Sequence, residues 1–355
     1  MKIRMRNIAF AIAALMASSL ASAQSSVTLY GVVDASLVWR NHATPKGGDV
    51  VEMSNGAINH SRFGLLGNED LGGGMSAIFR LESGFNPQDG SMASKNVIFD
   101  RYAYVGLKGH FGSLIAGNIN TIFYNTMSNY DPLTVGNFYN TAWWFGTDSG
   151  KRPSAMYYEK ELGPVRIGLS YGVGGVPGSV AQNSQFGGAI MYAGGSMTAG
   201  AVYQQTKAAN YGGLQRIFGL GLTYAIGPAT LYAGYQNNRD GTGIADTQLN
   251  IIGAPSGTAD VRRRDQGFFA GVSYQLSPAV LLRQAYYYDN IHDAQKIAGN
   301  DGVRWALVSE AEYAFSKRTS VYGQVDYNHT SGAANVQLPG ARNQTEVAIG
   351  LRHWF

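Results

Sequence analysis

Hydrophobic and polar residues alternate with a period of two along most of the chain. Between residues 27 and 40 the apolar side chains share one parity: Val27, Leu29, Val33, Ala35, Leu37 and Trp39. The other parity carries Thr28, Tyr30, Asp34, Ser36 and Arg40. The same alternation returns in residues 165–171, 320–327 and 346–355. Because successive side chains of a β-strand point to opposite faces, this pattern predicts strands with one apolar and one polar face.

Short turns and long polar stretches separate these segments in strict alternation. Seven short turns lie at residues 71–74, 110–112, 162–164 and 194–195 and directly after Tyr224, Tyr274 and Tyr313. Eight longer stretches cover residues 41–60, 84–98, 119–153, 173–185, 205–215, 237–263, 289–303 and 329–344. The seven hairpins supply fourteen strands, and a first strand in residues 27–40 and a last one in 345–355 bring the number to sixteen.

An even number of antiparallel strands, with short turns at one end and long loops at the other, is typical of outer-membrane barrels. Such a sheet closes because hydrocarbon offers no water to the N–H and C=O groups of a free edge. A soluble β-sandwich or solenoid would share the alternation, but it has no reason to carry tyrosines near the turn ends of its apolar faces. Those tyrosines are Tyr171, Tyr192, Tyr203, Tyr224, Tyr235, Tyr274, Tyr313 and Tyr327. We therefore predict an all-β fold, a sixteen-stranded antiparallel transmembrane barrel with short periplasmic turns and long external loops.

Strand number also predicts what the barrel encloses, since sixteen to eighteen strands leave an aqueous channel. The polar parity must then face water, and it carries these charged residues: Asp34, Arg62, Arg80, Glu82, Arg166, Glu310, Glu312, Asp326, Glu346 and Arg352. On the other parity, Arg or Lys at the bilayer midplane would cost about 2–4 kcal/mol. The segregation favours a channel for passive diffusion, which needs no cofactor and no enzymatic step.

Composition and charge exclude several other classes. Charged residues make up 14% of the chain, against about 25% in soluble domains, and the absence of cysteine excludes disulfides and thiolate sites. Residues 1–23 have the layout of a secretory signal: Lys2, Arg4 and Arg6, an apolar run, and Ala21-Ser22-Ala23. We predict a signal peptide at 1–23 and the barrel at 24–355. Removal of three cations lowers the net charge from +4 to +1, so basicity does not support nucleic-acid binding.

The stretch 119–153 differs from the other loops because it is aromatic and carries few charges. Its rings include Phe123, Tyr124, Phe138, Tyr139, Trp143, Trp144 and Phe145. A loop in solvent would gain little from so many rings, so we expect it to fold inward and narrow the channel; a surface loop used for packing or recognition is the alternative. Asp131 and Asp148 within it, and Lys151 and Arg152 at its end, would bring both signs of charge to a constriction.

Four motifs together resemble the trimeric general-diffusion porins of β-proteobacteria and Neisseria. They are Val27-Thr-Leu-Tyr-Gly, Ser61-Arg-Phe-Gly-Leu-Leu-Gly-Asn-Glu-Asp-Leu-Gly-Gly-Gly, Arg101-Tyr-Ala-Tyr-Val-Gly-Leu-Lys-Gly and Gly350-Leu-Arg-His-Trp-Phe. The resemblance implies a homotrimer in a Gram-negative outer membrane, with the third loop folded into each pore. It also implies a basic cluster opposite that loop, which Arg62 and Arg101 match. Arg152 is a looser match, because the residues around it depart from the family's polar run.

Two further expectations concern single positions. Arg101 shares the parity of Ala103, Val105 and Leu107, so a strand end or a bulge is needed for it to face the lumen. Phe355, which follows alternating apolar residues, resembles the signal read by the barrel-assembly machinery; a final strand that ends at the membrane interface would look the same.

Other local patterns carry little weight. Gly72-Gly73-Gly74 precedes a strand and is therefore no phosphate-binding loop. The six histidines lack metal-ligand spacing. His60 and Ser61 do not suggest a hydrolase site, because neighbouring residues of a strand point to opposite faces. The run Arg262-Arg263-Arg264 fits a solvated or lipid-headgroup patch better than an anion site.

We therefore predict a channel for small hydrophilic solutes and ions, weakly anion-selective, set in outer-membrane lipid and lipopolysaccharide. Its predicted constriction residues are Arg62, Arg80, Arg101, Asp131 and Arg152. A substrate-specific porin with an aromatic track in 119–153 is one alternative. A non-conducting adhesin or structural barrel is the other.

Overall fold

The structure, a computed structural model, describes residues 26–44, 46–136, 142–148, 150–209, 213–248, 261–338 and 340–355. The strands in this part of the chain are β1 (Ser26–Arg40), β2 (Val50–Ser54), β3 (Arg62–Gly72), β4 (Met75–Gly84), β5 (Tyr102–Gly109), β6 (Gly112–Asn120), β7 (Lys151–Leu162), β8 (Val165–Gly172), β9 (Gln185–Gly194), β10 (Met197–Lys207), β11 (Leu214–Ile226), β12 (Ala229–Asp240), β13 (Arg263–Ser277), β14 (Val280–His292), β15 (Gly302–Ala314), β16 (Thr319–Gly332) and β17 (Asn343–Trp354). Each pairs antiparallel with its neighbours.

The last strand closes the sheet onto the first. β1 pairs with β17 from Val32 opposite Trp354 to Arg40 opposite Glu346. Beyond that ladder, Gly31 and Phe355 exchange two backbone hydrogen bonds of 3.1 Å. A closed sheet leaves no edge, which is the requirement for crossing hydrocarbon with strands.

The second barrel strand is built from two pieces. Along β1, residues 36–40 pair with β2, whereas residues 26–32 pair with β3. The seventeen strands of the described residues therefore occupy sixteen barrel positions, which confirms the predicted sixteen-stranded antiparallel barrel. The stretch 41–60, expected to be one loop, contains β2, and residues 55–61 turn away from the wall.

The two parities lie on opposite faces, as predicted. Along β1, Val27 and Leu37 are exposed on the outer surface, whereas Asp34 and Ser36 are buried on the inner one. Seven of the eight tyrosines predicted for the outer face are exposed there: Tyr171, Tyr192, Tyr203, Tyr224, Tyr274, Tyr313 and Tyr327. Tyr235 is half-buried. The outer surface is thus apolar and rich in tyrosine, and polar groups point inward.

Short turns and long loops sort to opposite ends, at the positions expected, although several loops are shorter than predicted. β14 continues to His292 and β16 to Gly332. β10 and β11 leave only residues 208–213 between them, and β12 continues to Asp240. The described loops contain α1 (Ile122–Met127), α2 (Ala142–Phe145) and α3 (Ile244–Gln248), together with single 3₁₀ turns. Within the described ranges, none of the helices has the length and apolar content needed to span a bilayer.

Candidate functional site

We call residues 121–150, the third long loop between β6 and β7, loop 3; its described residues, 121–136, 142–148 and 150, fold into the barrel. Its first helix α1 begins after Thr121, whose hydroxyl accepts a 3.2 Å hydrogen bond from the N–H of Tyr124. Buried side chains of the described part pack against the inner wall: Ile122, Phe123, Met127, Tyr130, Leu133, Trp143, Trp144 and Phe145. The predicted inward fold of this loop is therefore confirmed. Phe138 and Tyr139 lie outside the described residues.

Glycines on the inner wall make room for this loop. A Cβ atom at Gly221 would lie 2.0 Å from the Tyr130 ring, and one at Gly200 would lie 2.3 Å from the Tyr130 hydroxyl. At Gly219 the first conflict would be with the Met127 sulfur, at 2.8 Å. A Cβ atom at Gly187, Gly267 or Gly271 would likewise come too close to a loop residue: Ile122, Trp144 and Pro132, respectively. The wall from β9 to β13 is thus shaped to receive the loop at van der Waals distance.

Two loop carboxylates tie the loop to the wall. Asp148 accepts hydrogen bonds from Thr121 (2.5 Å) and from the wall residue Gln204 (3.2 Å). Asp131 accepts from the Tyr287 hydroxyl of β14 and from the N–H of Val135 at 2.6 Å. Asp131 is only 1% exposed, and this burial raises the pKa of its carboxyl group to about 6. The structure therefore places Asp131 in the packed contact between loop and wall, away from the basic residues predicted beside it.

Three of the predicted basic residues meet around one carboxylate, that of Glu82 on β4. The Nε atom of Arg101 lies 2.6 Å from Glu82 Oε1, and Nη2 of Arg80 lies 2.5 Å from Oε2. Nε of Arg62 is 4.0 Å from Oε1. Glu82 also accepts a 2.6 Å hydrogen bond from the Tyr30 hydroxyl. The carboxylate is fully buried, whereas the side chains of Arg62, Arg80 and Arg101 are 18%, 27% and 25% exposed, so the guanidinium groups form the surface that faces the lumen.

Arg101 can face the lumen, although it shares the parity of outward-facing residues, because it lies just before the start of a strand. β5 begins at Tyr102, and Arg101 precedes it, with its N–H bonded to the carbonyl of Glu82 at 3.2 Å. Tyr102 then points inward beneath Arg80, whose guanidinium carbon lies 4.0 Å from the centre of the Tyr102 ring. A cation above an aromatic face is attracted by the ring, so Tyr102 holds Arg80 in place without cancelling its charge.

The fourth cation of this group is Lys151, whereas the predicted Arg152 lies elsewhere. Lys151 Nζ lies 4.2 Å from the centre of the Tyr102 ring and donates hydrogen bonds to the Arg101 carbonyl and, at 2.5 Å, to Asn120 Oδ1. The Arg152 side chain instead donates to the carbonyls of Val173 (3.4 Å) and Asn183, both in the fourth long loop, residues 173–184 between β8 and β9. Strand parity could not have indicated Lys151, because the pairing of β6 with β7 shifts register between it and the inward-facing Ala155. We call Arg62, Arg80, Arg101, Lys151 and Glu82 the basic cluster.

His60, next to the cluster, adds no charge at neutral pH. Burial is the main cause that lowers the pKa of its imidazole to about 4, and the nearby Arg101 and Arg62 act in the same direction. The basic cluster therefore groups three arginines and one lysine around the Glu82 carboxylate, with the Asp100 carboxylate nearby.

On the opposite wall, around β13, buried charged groups join loops to the barrel. Arg263 of β13 is fully buried and bridges Asp265 at 2.7 Å and Asp246 of α3 at 2.6 Å. Asp246 also accepts a 3.0 Å hydrogen bond from the N–H of Gln295 in the next loop. The predicted solvated patch at Arg262-Arg263-Arg264 is thus wrong for Arg263, which ties two loops to the wall. Arg283 of β14 and Arg352 of β17, each 13% exposed, are both paired with carboxylates of β15.

Phe355 lies at the closure of the barrel. Its ring covers Gly31, where a Cβ would meet the ring carbon Cζ at 2.3 Å. The role of Phe355 as an assembly signal stays a prediction.

Comparisons with known proteins agree with this architecture. Residues 9–333 match the family model described as Gram-negative porin. Outer membrane porin protein 32 of Delftia acidovorans is 29% identical over 99% of this chain and 100% of its own length. Major outer membrane protein P.IB of Neisseria lactamica is 27% identical over 97% of this chain and 98% of its own length. A solved anion-selective porin from Comamonas acidovorans superposes with a TM-score of 0.76, at 23% identity, over 93% of this chain and 100% of that one. The chain therefore belongs to the Gram-negative porin family and forms a channel in the outer membrane.

Proposed function

We propose that this porin passes small hydrophilic solutes and ions by passive diffusion with a preference for anions, set by the basic cluster. The observation that carries the proposal is the grouping of Arg62, Arg80, Arg101 and Lys151 around Glu82, with the arginine side chains partly exposed to the lumen. The Comamonas acidovorans porin, which shares the fold, is anion-selective, and this likeness supports the proposal.

The physical basis is local electrostatics. A unit charge acting at 4 Å through water is worth about 1 kcal/mol, and more where low-dielectric walls confine the field. The excess of basic over acidic side chains in the basic cluster lowers the energy of an anion at the constriction and raises that of a cation. Rings of Arg and Lys are a known means of anion selection in pores.

Reversal potentials in planar bilayers under a salt gradient test the proposal. The wild-type channel should favour anions, and Arg62→Ala should reduce that preference. Arg166→Ala is the matched control, since Arg166 pairs with Glu161 at 3.1 Å and contacts no member of the basic cluster. Cation preference in the wild type, or an unchanged potential after Arg62→Ala, would contradict the proposal.

A substrate-specific channel with an aromatic track finds less support. Of the described aromatic side chains of loop 3, Phe123, Tyr130, Trp143, Trp144 and Phe145 are buried against the wall, and only Tyr124 is partly exposed. Block of single-channel current by one solute class at low concentration would nevertheless favour that alternative, and uniform scaling of conductance with salt would favour general diffusion. Folded protein without any conductance would indicate an adhesin or structural role.

We also propose that the channel is a homotrimer and that the outer surface near the second loop contributes to the subunit contact. Val51 of β2 is 63% exposed and Ile98 of the second loop 59%, on the loop side of the barrel. Ile98→Asp should then reduce the oligomer band of unboiled gels, whereas Val180→Asp in the exposed fourth loop should not. Monomer migration of the unboiled wild type would contradict the proposal.

Export and assembly form the last part of the proposed function. Residues 1–23 combine a basic start, an apolar run and a small-residue cleavage site, so mature protein from outer membranes should begin at Gln24 by mass spectrometry. We further propose that the barrel-assembly machinery reads Phe355 and that lipopolysaccharide surrounds the external rim. Phe355→Ala should therefore lower the yield of assembled barrel, and an unchanged yield would exclude that role.

A further inference from the structure

The break in the second barrel strand contains four more residues than the sheet requires. Ser54 of β2 pairs with Ser36 of β1, and Arg62 of β3 pairs with Val32. From Ser54 to Arg62 the chain advances by eight residues, whereas the paired positions on β1, from Ser36 to Val32, are only four residues apart. An unbroken strand would advance equally, so four residues are surplus and residues 55–61 leave the wall. We call these residues the inward turn.

The inward turn is fixed to the inner wall by hydrogen bonds. The N–H of Ala57 donates to the Tyr322 hydroxyl at 2.8 Å, and that hydroxyl donates to Asp34 Oδ1 at 2.6 Å. The N–H of Asn59 donates to the other carboxylate oxygen of Asp34 at 2.9 Å. Nη1 of Arg352 donates to Asn59 Oδ1 at 2.7 Å. The turn thus has one defined position inside the barrel.

The backbone of the turn is tightly enclosed. Gly56 has a φ of 65°, and a Cβ there would lie 2.2 Å from the Asn59 carbonyl and 2.5 Å from Asp34 Cγ. Ala57 and Ile58 are buried in an apolar cluster with Val38, Tyr322 and Ala348. Glycine is required at this point because any side chain would displace the turn from Asp34.

The far side of the turn reaches loop 3. A Cβ built on Gly136 would lie 2.7 Å from the Ile58 carbonyl oxygen and 2.6 Å from that of Leu133. Backbone of the inward turn therefore contacts backbone of loop 3 inside the lumen. Loop 3 is anchored on β9 to β14, and the turn is anchored on β1, β16 and β17, so protein narrows the channel from two opposing walls.

We propose that the inward turn is a second constriction element, opposed to loop 3, and that its contact with loop 3 at Ile58 and Gly136 limits the size of solutes that pass. The basic cluster begins at Arg62, directly after the turn, so size and charge are selected at adjacent positions. The proposal rests on the channel activity of the family and is independent of the anion preference.

Deletion of residues 56–59 tests it, because removing the four surplus residues lets β2 and β3 join in register. The variant should show higher single-channel conductance and faster swelling of liposomes in larger sugars, while the reversal potential keeps its sign because Arg62, Arg80, Arg101 and Lys151 remain. The matched control removes four residues, 176–179, from the exposed tip of the fourth loop and should leave both measurements unchanged. Unchanged conductance and swelling in a deletion variant that migrates as a folded, heat-modifiable barrel would overturn the proposal.

If the deletion variant does not assemble, Tyr322→Phe tests whether the inward turn constricts the channel. It removes only the hydroxyl that holds Ala57 and leaves β16 intact, so the open-channel current should fluctuate more and its mean should rise. Tyr327→Phe on the outer face of the same strand is the control. Identical currents from these two variants would overturn the proposal.

Discussion

Adjacent residues at the start of β7 take different roles because the backbone there is irregular. The pairing of β6 with β7 shifts register between Gly117 and Ile119, and Ser154 has a φ of 54°. Lys151 consequently reaches Tyr102, whereas Arg152 reaches the carbonyls of the fourth loop. Two like charges one residue apart thus face different surroundings.

This difference predicts a selectivity contrast between two matched variants. Lys151→Met should reduce the anion preference, because it removes one of four cations from the basic cluster while keeping an unbranched side chain. Arg152→Met should change the preference little, since its charge lies away from the cluster. Reversal potentials under the same salt gradient check both, and a larger shift for Arg152→Met would contradict the placement of these side chains.

At the scale of elements, the fit between loop 3 and the glycine-bearing wall sets the shape of the lumen. Gly221→Val should displace Tyr130, since even its Cβ would lie 2.0 Å from the ring. Such overpacking costs typically about 1–3 kcal/mol. We expect an altered single-channel conductance and a lower temperature for the shift in gel migration on heating.

Gly323→Val serves as the control for this prediction. Gly323 faces outward, and a Cβ there meets nothing within 4 Å. Equal effects of the two variants would show that strand propensity, and not the contact with loop 3, explains the result.

The anchoring of loop 3 should also depend on pH through Asp131. Its pKa is raised in the folded protein to about 6 from an ordinary value of 3.8, because burial penalises the carboxylate. The folded state therefore binds the proton more tightly, and the stability of the anchored loop is highest at acid pH and falls as pH rises through about 6.

Heat-modifiability measured at pH 5 and pH 7 checks this expectation. The wild type should unfold at a higher temperature at pH 5, and Asp131→Asn should show a smaller difference because position 131 no longer titrates. Asp89→Asn, at an exposed site in the second loop, is the control. A difference that persists in full in Asp131→Asn would assign the pH dependence to other groups.

Local patterns in the sequence predict the elements better than they predict how the elements meet. The period-two alternation is a property of neighbouring residues, so strand faces, turn positions and strand number follow from it. The inward turn does not, because its four surplus residues become apparent only from the pairing of both β2 and β3 with β1. The burial of Asp131 depends on Tyr287, which lies 156 residues further along the chain. The motif around Arg62 and Arg101 predicted most of the basic cluster, whereas the assignment of Arg152 followed sequence proximity to loop 3.

At the scale of the whole molecule, the net charge is small although the charge inside the lumen is locally concentrated. With the proposed signal removed the chain carries only +1, yet three arginines and a lysine gather around Glu82 on one side of the lumen. Elsewhere, pairs such as Arg263 with Asp265 and Arg40 with Glu346 are matched and buried or half-buried. Any anion preference must therefore arise over the short range of the basic cluster, and not from an overall attraction of the barrel for anions.

A short-range origin predicts how selectivity should respond to salt. The Debye length falls from about 10 Å at 0.1 M to about 3 Å at 1 M, so mobile ions progressively screen the cluster from solutes in the passage. The anion-to-cation permeability ratio should therefore decrease as salt is raised at a constant gradient, and Arg62→Ala should show a smaller decrease because less charge remains to be screened. Conductance itself should keep rising with salt, which separates screening from block. A ratio independent of salt would require a selectivity based on dehydration or direct binding, and the basic cluster alone would not account for it.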